Sequence, residues 1–309
     1  MKKSGTRWTA MLWIVAFGIW PSLCQAGERP MRVVATMSTF ADLAKTIGGD
    51  RVEVSYVASP KFNPHFIEPK PSDVVKVKRA DLFIHAGLDL ELWRWPLLDA
   101  AGNTKLFQGG PGELDLSHGI ELLEVPSRTV SRSQGDIHIY GNPHYWTDPN
   151  NAIVMAQSIA AKLSELDPAH AAVFDERMRA FTRQLGQQMT NWQQRLQPFH
   201  NQEFIGYHNE WPYLMRFAGL HTEHFLEPKP GIPPTPQQIE FIQQYIKAHS
   251  IRGIIQATYF PAQAAETLAK RTGAKVVFLC QDVGEVPACS DYVAMLDYNV
   301  NQLITGLSQ

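Results

Sequence analysis

Cysteine is scarce in this chain: three residues in 309, at positions 24, 280 and 289. Basic excess is absent as well. Lysine and arginine number 28 against 30 aspartates and glutamates, a formal net charge of −2, so no basic surface argues for nucleic acid. A membrane-spanning run is missing: the longest apolar stretch, residues 10–20, is too short for an ordinary span. The His-Glu-x-x-His helix of zinc hydrolases does not occur. These absences leave a chain of ordinary globular composition, long enough for one large or two medium domains.

The short apolar stretch reads instead as the middle of a secretory signal over residues 1–26. Lys2, Lys3 and Arg7 form its charged start, and Cys24-Gln25-Ala26 resembles a small-x-small cleavage site. The segment predicts export to the periplasm and a mature chain more acidic than the precursor. Lipidation of Cys24 is the alternative, but Leu23 before it fits that signal poorly. Export leaves Cys280 and Cys289, which an oxidising compartment is expected to pair. Such a bridge would stabilise by roughly 2–3 kcal/mol on the chain-entropy account. Two buried free thiols are the other reading.

What the chain does have is a repeated histidine loop. Gly141-Asn142-Pro143-His144-Tyr145-Trp146-Thr147-Asp148-Pro149 has a shorter echo in Asn63-Pro64-His65-Phe66. In each, histidine follows proline and precedes an aromatic residue. Proline fixes its own φ and biases the preceding residue to extended geometry, so such a loop holds an imidazole at a defined angle. His208, in Gly206-Tyr207-His208-Asn209-Glu210, follows an apolar strand-like run. Three convergent histidines point to a transition metal, most often zinc.

The periodicities predict strands near 32–36, 52–57, 82–85, 120–125, 204–207, 253–256 and 275–279, alternating with helices. Ser38 is placed to cap the first helix. This alternation implies parallel α/β sheets. Asp167-Pro168 starts a helix whose apolar face is Phe174, Met178, Phe181, Leu185, Met189, Trp192 and Leu196. Running from 168 to 197, it would extend about 45 Å and link two lobes. The expected division is 27–166, a linker helix over 167–199, and 200–309.

Several motifs together resemble the metal-binding substrate-binding proteins of ABC importers, the zinc and manganese type. They are Ile47-Gly48-Gly49-Asp50-Arg51-Val52, Asn63-Pro64-His65 through Pro71-Ser72-Asp73, and Ala80-Asp81-Leu82 through Gly87-Leu88. Gly119-Ile120-Glu121-Leu122-Leu123, the Pro143 to Pro149 run, Tyr207-His208, and Asp291-Tyr292 through Asn299 complete the set, in family order. The resemblance implies two α/β lobes joined by one long helix with a metal buried between them. It implies His65, His144 and His208 as ligands, with a carboxylate from a late loop as the fourth. Asp282 matches that carboxylate best, with Gln281 and Glu285 as neighbours. It further implies a metal ion as transported cargo, expected to be Zn²⁺, and a membrane permease as partner; delivery to that permease predicts a monomer, and four protein ligands leave no open position for catalysis.

Three imidazoles and one carboxylate suit tetrahedral zinc. Mn²⁺ or Fe²⁺ is the alternative, since manganese relatives place a carboxylate where His208 stands. Many zinc members carry a histidine-rich loop before the second ligand. Here that stretch, 127–135, has no histidine. His138 is placed to assist metal entry, Glu68 and Glu210 to be solvated or to support the ligands, and His221 and His224 to lie on the surface. The rival readings are a secreted zinc hydrolase using Glu68 or Glu210 as base, and a metal-independent adhesin.

Overall fold

The computed structural model describes residues 29–127, 138–229 and 231–308. The expected signal segment, with Cys24, and positions 128–135 of the polar stretch lie outside the described residues.

Two four-stranded parallel sheets form the framework. In the first, β1 (Met31–Ala35) is flanked by β2 (Val52–Tyr56) and β3 (Leu82–His85), and β4 (Glu113–Asp115) pairs with β3, giving the order β2-β1-β3-β4. In the second, β5 (Glu203–Gly206), β6 (His221–Phe225), β7 (Gly253–Ala257) and β8 (Lys275–Leu279) repeat that arrangement as β6-β5-β7-β8. Parallel strands require crossovers. These are supplied by α1 (Ser38–Gly48), α2 (Pro71–Arg79) and α3 (Arg94–Ala101) in the first half, and by α6 (Pro212–Ala218), α7 (Pro236–His249) and α8 (Gln263–Thr272) in the second. Among the described residues, no helix is long and apolar enough to cross a membrane.

Side chains alternate between sheet faces, and the second sheet uses both. Phe204, Ile255 and Val277 join a large core that continues into the first lobe, whereas Ile205 and Ile254 pack with Ile242, Ile246 and Leu268 in a smaller one. α4 (Pro149–Leu166) and α5 (Ala171–Leu196) carry the large core across. α5 has 26 residues, about 39 Å at 1.5 Å each. A 3₁₀ turn over Pro168–His170 precedes it, so the proline starts a tighter turn rather than the α-helix itself. Phe174, Phe181, Leu185, Trp192 and Leu196 are buried along one stripe. Near its start, Arg177 donates to Gly48 O at 2.6 Å; near its end, Trp192 Nε1 donates to Asp297 at 2.9 Å on α9 (Tyr292–Leu307). The helix is thus fastened to both lobes.

Three expectations give way. The run 120–125 is irregular, because Glu113–Asp115 already occupies the free edge of β3, pairing Phe83 with Glu113 and His85 with Asp115. The run turns towards the second lobe, where Leu123 N–H donates to Tyr213 Oη at 3.0 Å. Ser38 is the first helical residue, not the cap; its hydroxyl donates to Val283 O at 2.8 Å, across to the late loop of the second lobe.

The cysteine pairing is the third. Cys280 and Cys289 are free, buried thiols. The loop between them is closed by other means. Gly284 N–H donates to Cys289 O at 2.7 Å, and Glu285 gathers the N–H groups of Gln281 at 2.8 Å and Thr258 at 3.1 Å. The Cys289 contact and burial push the Cys280 thiol up.

Candidate metal centre

Four histidines converge between the lobes. One ring nitrogen from each of His65, His138, His144 and His208 lies within 4.8 Å of all the others. His65 sits in the Pro64–Phe66 turn after β2, His144 in the loop entering α4, and His208 just beyond β5. His65 and His208 therefore follow the C-terminal ends of parallel strands, where ligand crevices form in α/β folds.

Asparagine, as much as proline, sets the two repeated loops. Asn63 Oδ1 accepts from His65 N–H at 2.9 Å, and Asn142 Oδ1 accepts from His144 N–H at 3.1 Å. This is the Asx-turn chemistry of short polar side chains. Trp93 Nε1 donates to Pro64 O at 2.8 Å and Tyr213 Oη to Asn142 O at 2.8 Å, locking both loops to their surroundings.

The same contacts decide where the imidazole protons sit. A backbone N–H can only donate, so the Asn142 atom facing His144 is the amide oxygen. That oxygen also lies 2.9 Å from His144 Nδ1, which therefore carries the proton and leaves Nε2 as a lone pair. His208 Nδ1 lies 2.8 Å from Glu227 Oε2, which assigns its proton in the same way. His208 Nε2 is buried with no hydrogen-bond partner. Lone pairs converging in a buried space call for a cation.

The spacing fits a small tetrahedral ion. Zinc–nitrogen bonds of about 2.0–2.1 Å put tetrahedral donors about 3.3–3.4 Å apart. His65 Nε2 and His144 Nε2 are 3.2 Å apart. Ring centroids around such an ion would stand about 5.2 Å from one another. The six pairwise centroid distances run from 5.2 Å for His65–His144 to 6.3 Å for His138–His208, a slightly expanded tetrahedron. Burial and, less strongly, the neighbouring imidazoles hold His144 well below the usual histidine range, so it stays neutral and able to coordinate.

Asp282 is not in this group. It is buried, and its carboxylate accepts from Thr39 Oγ1 at 2.7 Å at the start of α1. Burial raises its pKa to about 7, opposed by the Thr39 bond. Glu210 is fully buried and not solvated; its carboxylate accepts from Tyr259 Oη at 2.9 Å. Burial pushes it well above the usual carboxylate range. Glu68 and His221 are exposed, while His224 packs edge-on against Tyr245 at 4.1 Å between ring centroids.

A second group, His85 with Glu113 and Asp115, also has metal-ligand residue types within reach of one another. Here the tautomer runs the other way. Gly87 N–H donates to His85 Nδ1 at 3.1 Å, so the ring proton is on Nε2, where Glu113 accepts it at 2.7 Å. Neither nitrogen has a lone pair to spare.

Known proteins share this architecture. The family model for the zinc-uptake complex component A, periplasmic (ZnuA), matches residues 33–306. The iron-binding protein YfeA of Yersinia pestis is 25% identical over 98% of this chain and 97% of its own length. The manganese ABC transporter substrate-binding lipoprotein PsaA of Streptococcus anginosus is 22% identical over 100% of both. A crystal structure of ZnuA superposes with a TM-score of 0.77 at 24% identity, over 90% of this chain and 100% of that one. With the profile spanning nearly all of the described fold, the chain belongs to the ZnuA family.

Proposed function

We propose that this protein is the substrate-binding component of an ABC-type metal importer and that its cargo is Zn²⁺. It captures the ion outside the inner membrane, after export through segment 1–26, and delivers it as a monomer to a permease. The observation that carries the metal is the donor set: four imidazoles whose ring centroids outline a tetrahedron, with no carboxylate or thiolate among them. Imidazole suits zinc, whereas oxygen donors suit manganese. Relatives named for iron and manganese make the metal the part most in need of a test. Four protein donors also leave no open position for a reacting water, which favours transport over hydrolysis.

In this reading His65, His144 and His208 bind the ion with His138 as the fourth ligand. Asp282, the fourth ligand implied by the sequence resemblance, is the alternative. Its burial and its place on the late loop support that role in a state where Thr39 releases it.

Elemental analysis of protein purified from periplasm without added metal tests the cargo. About one zinc per chain supports the reading. Manganese or iron at that level, with zinc absent, would keep the importer and overturn the metal.

A further inference from the structure

One carboxylate stands directly behind the metal centre, and the strand ladder puts it there. The parallel pairing of β5 with β6 continues past both strands. Leu226 N–H donates to Gly206 O at 2.9 Å, and Glu227 N–H donates to Tyr207 O at 3.0 Å. This register carries Glu227 alongside His208, the residue that follows Tyr207. Its side chain is 7% exposed and that of His208 is 5% exposed, so the contact is shielded from water. Gly231 N–H, at 3.3 Å, also donates to Glu227 Oε2. That oxygen, the one facing Nδ1, is therefore held by a second donor.

We infer that Glu227 is a positioning residue for metal capture, fixing the His208 ring and supplying the negative charge that an all-imidazole ligand set lacks. The inference rests on the His208 ligand role proposed above. Its physical content has two parts. The Nδ1–H bond to Glu227 fixes the tautomer and ring angle that aim Nε2 at the centre, and it raises the basicity of that donor. The other oriented ring, His144, is held by the neutral amide of Asn142. Glu227 therefore makes the His208 side of the site electrically distinct. A charge placed behind a ring attracts a divalent cation without offering it an oxygen ligand. Attraction is retained and the donor set stays nitrogen, which favours zinc over cations that prefer oxygen.

The test uses the mature protein, Glu227→Gln and Glu227→Ala. Zinc affinity is measured by competition with a chromophoric chelator, Co²⁺ absorption reports the geometry, and thermal melting of the metal-free proteins reports the fold. Glutamine can still accept the Nδ1–H bond but carries no charge. It should weaken zinc about tenfold while leaving the Co²⁺ band and the metal-free melting temperature in place, the lower end of the range for such outer partners. Alanine also releases the ring, and should cost up to about a hundredfold and alter the Co²⁺ band. Wild-type zinc affinity in Glu227→Gln would overturn the inference while leaving the cargo reading intact. So would a loss matched by a collapse of metal-free stability. An unsubstituted protein that binds no zinc would overturn both.

Discussion

Two groups of metal-ligand residue types lie among the described residues, and a single backbone N–H separates their chemistry. At His144 the main-chain donor and the ring Nδ1 meet the same asparagine oxygen, which puts the ring proton on Nδ1 and turns a lone pair inward. At His85 the main-chain donor of Gly87 takes Nδ1 itself, which puts the proton on Nε2 and spends it on Glu113. The first arrangement accumulates lone pairs; the second cancels donor against acceptor. Residue types alone rank the two clusters alike, or favour the second for its carboxylates. Tautomer and satisfaction rank them in the opposite order.

The largest predicted effect breaks the comparison directly. His208→Ala should weaken zinc binding by more than the roughly hundredfold that loss of an outer partner can cost. His85→Ala should leave zinc stoichiometry and affinity unchanged, measured in the same chelator competition. It should instead destabilise the protein by about 2 kcal/mol in urea unfolding, because the Glu113 carboxylate loses the ring N–H that it accepts. A second metal equivalent lost in His85→Ala would collapse the distinction.

A smaller effect sharpens the first cluster. His138→Ala should reduce zinc affinity about tenfold or more if its ring completes the tetrahedron, and Asp282→Asn should change it by less than about twofold. Calorimetric titration of both variants would exchange the two assignments if the ranking came out reversed.

Smaller again are the effects of pH. His144 is neutral in the fold well below its ordinary pKa of 6.5, so the unfolded chain binds the extra proton as pH falls through that value. Metal-free stability and zinc affinity should hold above about pH 6.5 and decline below it. Asp282 contributes with the opposite sign. With its pKa raised from 3.8 to about 7, its stabilising contribution is full below 3.8 and is lost as pH rises towards 7. Urea midpoints of Asp282→Asn should therefore exceed wild type at pH 8, and this gain should vanish near pH 4. A constant difference across that range would contradict the assignment.

Much of this was legible beforehand, for identifiable reasons. His65 and His144 announce themselves through the repeated Asn-Pro-His, where both flanking residues restrict the backbone, and His208 through its place after an apolar strand. The alternating strands and helices carried the α/β architecture and the long bridging helix. β6 was missed because His221–Phe225 has four consecutive polar residues before Phe225 and lies on a sheet edge, where no apolar run is required. β4 was displaced because three residues, Glu113–Asp115, leave almost no pattern. His138 has no proline or asparagine framing, so its nearness to the His144 loop suggested a role in metal entry and not a place among the ligands. Glu227 is invisible in the same way: its proposed role comes from the register of a strand that the sequence did not reveal. The cysteines misled because export suggests oxidation, whereas their buried loop is closed by Glu285 and backbone bonds.

The central claim is that zinc is held by four imidazoles, and zinc-edge X-ray absorption on the loaded protein addresses it most directly. The account predicts four nitrogen neighbours at about 2.0 Å with the multiple-scattering signature of four rings. Three rings and one oxygen, unchanged in His138→Ala, would contradict it and return the fourth position to a carboxylate or water.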